Sequence, residues 1–249
     1  SGTLSITHNA KGSPSQVTLV GSGVPTTGTG VKGVSLNNTT WGLADSPIYV
    51  TSTVQVPSGV TLTIEPGVSV RFTGPYEILI KGTLIANGFP QAIITFTSAT
   101  AGVSSGATLL KFKGTNLSAS QLSYLRMELA SVAIQVGEET EFAQGDKNTG
   151  TLTASQVDIA SAQVITGGVN TQAKLVLAQA KIANTTILGE YPWSEPIELV
   201  DATITNTTIR SDSYNKGITI KNSTEPVFVK GRRAGFRFAD HRHQPTERR

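Results

Sequence analysis

From Val60 to Gly114 apolar residues alternate with polar ones at every second position, and the alternation returns every sixteen. Leu62, Ile78, Ile94 and Leu110 make one such column, and Ile64, Ile80, Phe96 and Phe112 make the next. A period of two marks a strand with one buried face, and a longer period laid over it means that short strands recur at fixed intervals. Strands this short cannot bury their apolar faces unaided, so each must lie against the next rung of a solenoid. The pattern predicts that these eight side chains point inward and stack rung upon rung. Val68 over Leu84 and Val70 over Ala86 would form a second strand per coil, and Thr63, Leu79, Thr95 and Lys111 an outward column.

Beyond Gly114 the spacing widens. Ile159, Ile182 and Ile204 stand 23 and 22 apart, and Val164, Ile187 and Ile209 repeat those intervals. The A-S-Q-L-S-Y stretch at Ala119 echoes A-S-Q-V-D-I at Ala154 after 35 residues, which predicts one coil carrying an insertion, placed at Glu138 to Thr149. Asn184-Thr185-Thr186 and Asn206-Thr207-Thr208, 22 apart, would stack at one corner, where Asn tolerates the left-handed backbone. Residues 44–228 would then hold about nine coils, a rod ~45 Å long.

Composition agrees with a chain of short strands and turns: of 249 residues 38% are hydrophobic, 15% charged and 25 are glycine. With no cysteine there is neither a disulfide framework nor a thiolate metal site. No apolar run approaches the ~18 residues of a transmembrane helix, and no signal peptide is recognisable, so a soluble chain is expected. The net charge of +3 is unevenly spread. Residues 230–249 carry Lys230 and six arginines against Asp240 and Glu247, a balance of +5 that leaves −2 on the rest. A basic terminus without a base-reading motif implies no specific nucleic-acid partner. His241 and His243 in that tail lack a third ligand, so no metal is assigned.

Residues 1–30 read as a hairpin and linker. Thr3 to Thr7 alternates, Asn9 to Pro14 turns, Val17 to Val20 alternates back, and Gly21 to Gly33 is rich in Gly, Thr and Pro. The passage T-L-S-I-T-H-N-A-K-G-S-P-S-Q-V-T-L-V resembles the closing two strands of the ASPM/Hydin-type immunoglobulin-like domains of large bacterial surface proteins, which would make the chain a segment of a longer polypeptide. The passage S-P-I-Y-V-T-S-T-V-Q-V-P-S-G-V-T-L-T-I-E-P-G-V-S-V-R-F, with I-L-I-K-G-T-L-I-A-N-G after it, resembles the opening of secreted or surface-displayed bacterial right-handed parallel β-helix proteins. The expected fold is therefore all-β: a right-handed parallel β-helix solenoid over residues 31–229, preceded by a short N-terminal β-hairpin and followed by a basic tail over 230–249. Handedness rests on the resemblance and on the usual right-handed crossover.

The fold resembled includes polysaccharide lyases and hydrolases, but the residues do not follow it there. The N-T-D, D-D, G-H-G and R-I-K motifs of pectinase-type hydrolases are missing, and the column through Asp158 continues as Lys181 and Thr203, which does not concentrate acid. Glu138, Glu139, Glu141 and Asp146 read as a solvated acidic loop. The expectation is a non-catalytic extracellular or cell-surface module, a rigid spacer or adhesion element that binds glycans, with no catalytic residues and no cofactor. The alternatives are a lyase or hydrolase with an unrecognised site and an ice- or crystal-surface binder. The binding residues expected are Tyr191 and Trp193, whose rings would stack on sugars, with Glu190, Glu195 and Glu198 for the hydroxyls. Partners would be a polysaccharide or surface glycan and a second copy meeting the chain through its hairpin or solenoid ends, since a terminal rung offers unpaired backbone groups. Deleting residues 1–30 should lower the melting temperature or change the mass in solution; no change in either would show the hairpin to be passive.

Overall fold

A computed structural model of the chain describes residues 2–19, 28–33, 37–137, 148–166, 172–189, 197–211, 218–223, 228–231 and 236–238. Gly2–Ile6 and Ser15–Leu19 pair antiparallel as a two-stranded sheet of their own, the hairpin that the alternation predicts. The described residues from Thr29 onward form a parallel β-helix. Seven consecutive coils, the first beginning at Thr39, each lay down a strand segment on three faces in turn.

On the first face the register runs Trp41, Ile64, Ala86, Leu122, Ala154, Leu177, Leu199, Ile220 and Phe238. The second face carries Ile48, Val70, Phe96, Met127, Ile159, Ile182 and Ile204. The third carries Val56, Ile80, Phe112 and Val136, and two residues back along the strand Ile134 continues as Val164, Ile187 and Ile209. As far as Ile220, alternation places these side chains inside, where residues from Trp41 to Ile220 form one continuous apolar core.

The sixteen-residue columns are not the coil. Leu62, Ile64, Ile78, Ile80, Ile94, Phe96, Leu110 and Phe112 are all buried as predicted, at 1% exposure or less. They nevertheless lie on different faces: Leu62 pairs with Leu84, Ile78 with Val54, Phe96 with Val70 and Phe112 with Ile80. Val70 accordingly lies beside Phe96 and not Ala86, and Leu84 beside Leu62 and not Val68. The outward set divides likewise, with Thr63 on the first face, Thr95 on the second, and Leu79 beside Lys111 on the third. The echo at Ala119 is also out of step, since Leu125 faces Val157 at an offset of 32 and not 35. Where the wider interval was read, the register agrees: Ile159, Ile182 and Ile204 pair in line, as do Val164, Ile187 and Ile209.

Corners repeat as faithfully as strands. Between the first and second faces Tyr124, Gln156, Gln179, Asp201 and Asn222 all have left-handed backbone, with φ from 47° to 55°. Between the second and third, Leu129, Ser161, Asn184 and Asn206 do the same. Such a conformation disfavours a side chain with a Cβ, and it persists because the surrounding ladder fixes it. At these corners Gln179 N–H donates to the Val200 carbonyl at 2.8 Å and Asp201 N–H to that of Lys221 at 3.0 Å, so the ladder continues around the bend. The predicted asparagine stack is present, with Asn206 Nδ2 donating to Asn184 Oδ1 at 2.6 Å.

The ends differ from a simple hairpin, linker and tail. Parallel pairing already begins at Thr29–Val31, which lies beside Ile48–Val50. Tyr49 points away from the core yet is only 2% exposed, and Gly28 lies so close that a Cβ there would come within 2.8 Å of its ring. Within residues 230–249, read from the sequence as a basic tail, the backbone of Phe236–Phe238 adds a parallel rung beside Ile218–Lys221.

The corner between the third and first faces is held by a buried amide. Asn148, fully buried, accepts from Thr115 N–H at 3.1 Å and donates to the Phe112 carbonyl at 2.9 Å, while the Thr115 hydroxyl donates to the Gly82 carbonyl at 2.7 Å. Asn148→Ala leaves the Thr115 N–H without its acceptor inside the protein, and a loss of about 2 kcal/mol is expected in urea unfolding. A change below ~0.5 kcal/mol, the range of ordinary surface substitutions, would mean that the corner re-forms without the amide.

Candidate functional site

An open groove of about 300 Å³ crosses the outer side of the first face, lined by Asn87 from the third coil, Ser118 and Ser120 to Ser123 from the fourth and Thr151, Thr153 and Ser155 from the fifth. Its origin lies in the fourth coil, where the first-face strand begins only at Gln121. The residues before it form a short 3-10 turn, Leu117–Ala119, anchored by the fully buried Leu117 and capped by Asn116, whose side-chain oxygen accepts from Ser118 N–H.

That turn takes the place of a strand segment, so neighbouring rungs would lose backbone acceptors. Side chains supply them instead: Ser120 Oγ accepts from Leu84 N–H and Ser118 Oγ from Thr151 N–H, both at 3.0 Å. Gly150 allows the turn to come this close, since a Cβ there would lie 2.5 Å from Ser118 Oγ. The floor is tied across the rungs by Asn87, which donates to Gln121 Oε1 at 2.8 Å and accepts from the Ser123 hydroxyl at 3.2 Å. At the far end of these strands the chain turns at Gly88, which packs on Tyr124, and presents Phe89 at 46% exposure.

Chemically the lining is hydroxyls, amides and one leucine. These groups donate and accept together, which suits a ligand made of hydroxyls. None of the nine lining residues titrates near neutrality, so the groove itself supplies no general acid or base. Among the described residues no group of three or more His, Asp or Glu could hold a metal ion, and no helix is long and apolar enough to cross a membrane.

Of the five binding residues read from the sequence, Glu190, Tyr191, Trp193 and Glu195 lie outside the described residues, as do Glu138, Glu139, Glu141, Asp146, His241 and His243. Glu198 is described, and it lies on the first face two coils beyond Thr153, along the row Thr153, Val176, Glu198. Its carboxylate is paired to both Lys174 and Lys221, one on each neighbouring coil, and the residue is 7% exposed. The bracket ties three rungs together, which gives Glu198 a structural task. The column through Asp158, with Arg126 before it and Lys181 and Thr203 after, is present in register on the second face and alternates in sign.

Comparison with protein-family models, curated proteins and solved structures finds no match for the chain. The fold therefore defines the class, a parallel β-helix solenoid, and the groove carries the functional argument.

Lys174, and then Lys221, holds the Glu198 carboxyl below the ordinary carboxylate range, against burial, which pushes it up. A carboxyl lower in the folded than in the unfolded chain stabilises fully above the unfolded value, and that contribution is lost as the pH falls through the folded value. Glu198→Gln should thus be less stable than the parent at neutral pH, with the difference shrinking on acidification. Urea midpoints that differ equally at neutral and acid pH would show that the ion pairs are not its source.

Proposed function

We propose that this chain is a non-catalytic β-helix module that binds neutral polysaccharide in the groove of its first face, acting as a rigid spacer or adhesion element outside the cell or on its surface. One observation carries the reading: a concave site spanning three coils is lined mainly by uncharged amides and hydroxyls, and the exposed Phe89 follows two residues after Asn87 of its lining. Sugars present C–H faces that sit on such rings and hydroxyls that pair with such side chains. The ladder beneath supports a spacer, since parallel pairing from Thr39 to Phe238 leaves no hinge among the described rungs of the first face. A bacterial surface setting, and an origin next to an immunoglobulin-like domain, rest on the two sequence resemblances.

Binding is preferred to catalysis because the groove lacks titratable groups and the charged row of the second face mixes signs. It is preferred to ice binding because the outward row of the first face, Thr40, Thr63, Ile85, Gln121 and Thr153, is broken at Ile85 and Gln121 and hollowed by the groove.

Thr153 is exposed on the groove floor, so Thr153→Trp should fill the site while leaving the fold intact. Affinity electrophoresis through soluble neutral glucans and mannans should then show retention weakened about tenfold, or ~1.4 kcal/mol, with an unchanged melting temperature. Equal retention of parent and variant, or none by the parent, would overturn the proposal.

A further inference from the structure

One uncharged row of the first face extends beyond the groove. The outward row through Thr40, Thr63, Ile85, Gln121 and Thr153 crosses five consecutive coils without a charged side chain, and three of these coils line the groove. Continuing the row gives Val176 and then Glu198 with its bracketing lysines, so the character of the face changes from the sixth coil onward. Along the strand direction the groove is bounded on both sides. Ser118 and its 3-10 turn stand at the strand starts, bonded to Thr151, and the turn of residues 88–92 with Phe89 stands at the strand ends. The unobstructed direction runs from rung to rung.

We infer that a neutral polysaccharide lies along the solenoid axis, with one sugar unit facing each rung from the first coil to the fifth. This rests on the reading of the groove as a glycan site and adds its direction, length and limits. Rungs repeat at ~4.8 Å, so five rungs span about 19 Å, and one pyranose unit in an extended chain advances by about one rung spacing. The solenoid thus presents a hydroxyl, amide or small apolar group to each successive unit. Ile85, the apolar member, offers a surface for a sugar's C–H face between the hydroxyl of Thr63 and the amide of Gln121. A chain lying across the strands would instead meet the Ser118 turn and the Phe89 turn after one or two units.

The experiment is a titration of the full chain with neutral gluco- and manno-oligosaccharides of increasing length. Affinity should rise unit by unit, by about tenfold in all, and level off near about five units. Thr63→Val removes one hydroxyl on the second coil, outside the groove, without changing side-chain shape. It should reduce the advantage of the long oligosaccharides and leave trisaccharide binding as it is in the parent. Affinity that saturates at one or two units, or a variant equally weakened toward short and long ligands, would overturn the axial arrangement. Retention of the polymer without length dependence removes only this inference; failure of the parent to bind any neutral polymer or oligomer removes the glycan reading with it.

Discussion

Among the described strands of this solenoid none pairs with another of its own coil. Each strand ladder runs to the coil before and the coil after, and the inward side chains join one core that runs through all of them. Stability is then close to a sum of nearest-neighbour terms, in which an error in one rung is felt by two others. The corners carry most of that burden, because a strand can keep its register only if each bend delivers the chain at the same height. Two columns of left-handed residues, from Tyr124 onward, and the Asn148 amide are the means, and they hold through a fourth coil that takes 32 residues from Leu122 to Ala154 where the next takes 23 from Ala154 to Leu177.

The architecture was legible in the sequence, but its period was not. Alternation put the right residues inside, because any strand of the solenoid must bury every second side chain. The sixteen-residue interval arose from the strands and not from the coil. Strands beginning at Thr61, Ser69 and Glu77 follow one another by eight, so two steps bring Leu62 to Ile78 on a different face. Inward positions are apolar on all three faces, and apolarity cannot tell one face from another. The intervals of 23 and 22 from Trp41 to Ile64 and Ala86 are hidden by this overlay, and the true repeat stands clear from Ile159 onward, where coils of 23 and 22 residues follow on the second and third faces alike.

The groove had no comparable signal. Asn87, Ser123 and Ser155 are neighbours on one row, yet they lie 36 and 32 residues apart in the chain, across the two longest coils. Serine, threonine and glutamine at such distances form no motif, and their meaning appears only when the register is known. Glu198 shows the same difficulty from the other side. As a carboxylate near two aromatic residues it reads as a ligand group, whereas its partners Lys174 and Lys221 are 24 and 23 positions away on adjoining rungs. The coil interval contained that information, one diagonal step from the direct register.

Ser118 and Ser120 have a consequence for how such a rod could change over time. Where their hydroxyls stand in for backbone carbonyls, the ladder passes through a turn that is not part of it, so the sequence between Thr115 and Gln121 is relieved of the duty to be a strand. The fourth coil is in effect a splice point: segments of other length could be exchanged there while two serines keep the rungs above and below in register. A rod otherwise committed to repetition thereby gains one place where novelty in surface shape carries little risk to the fold.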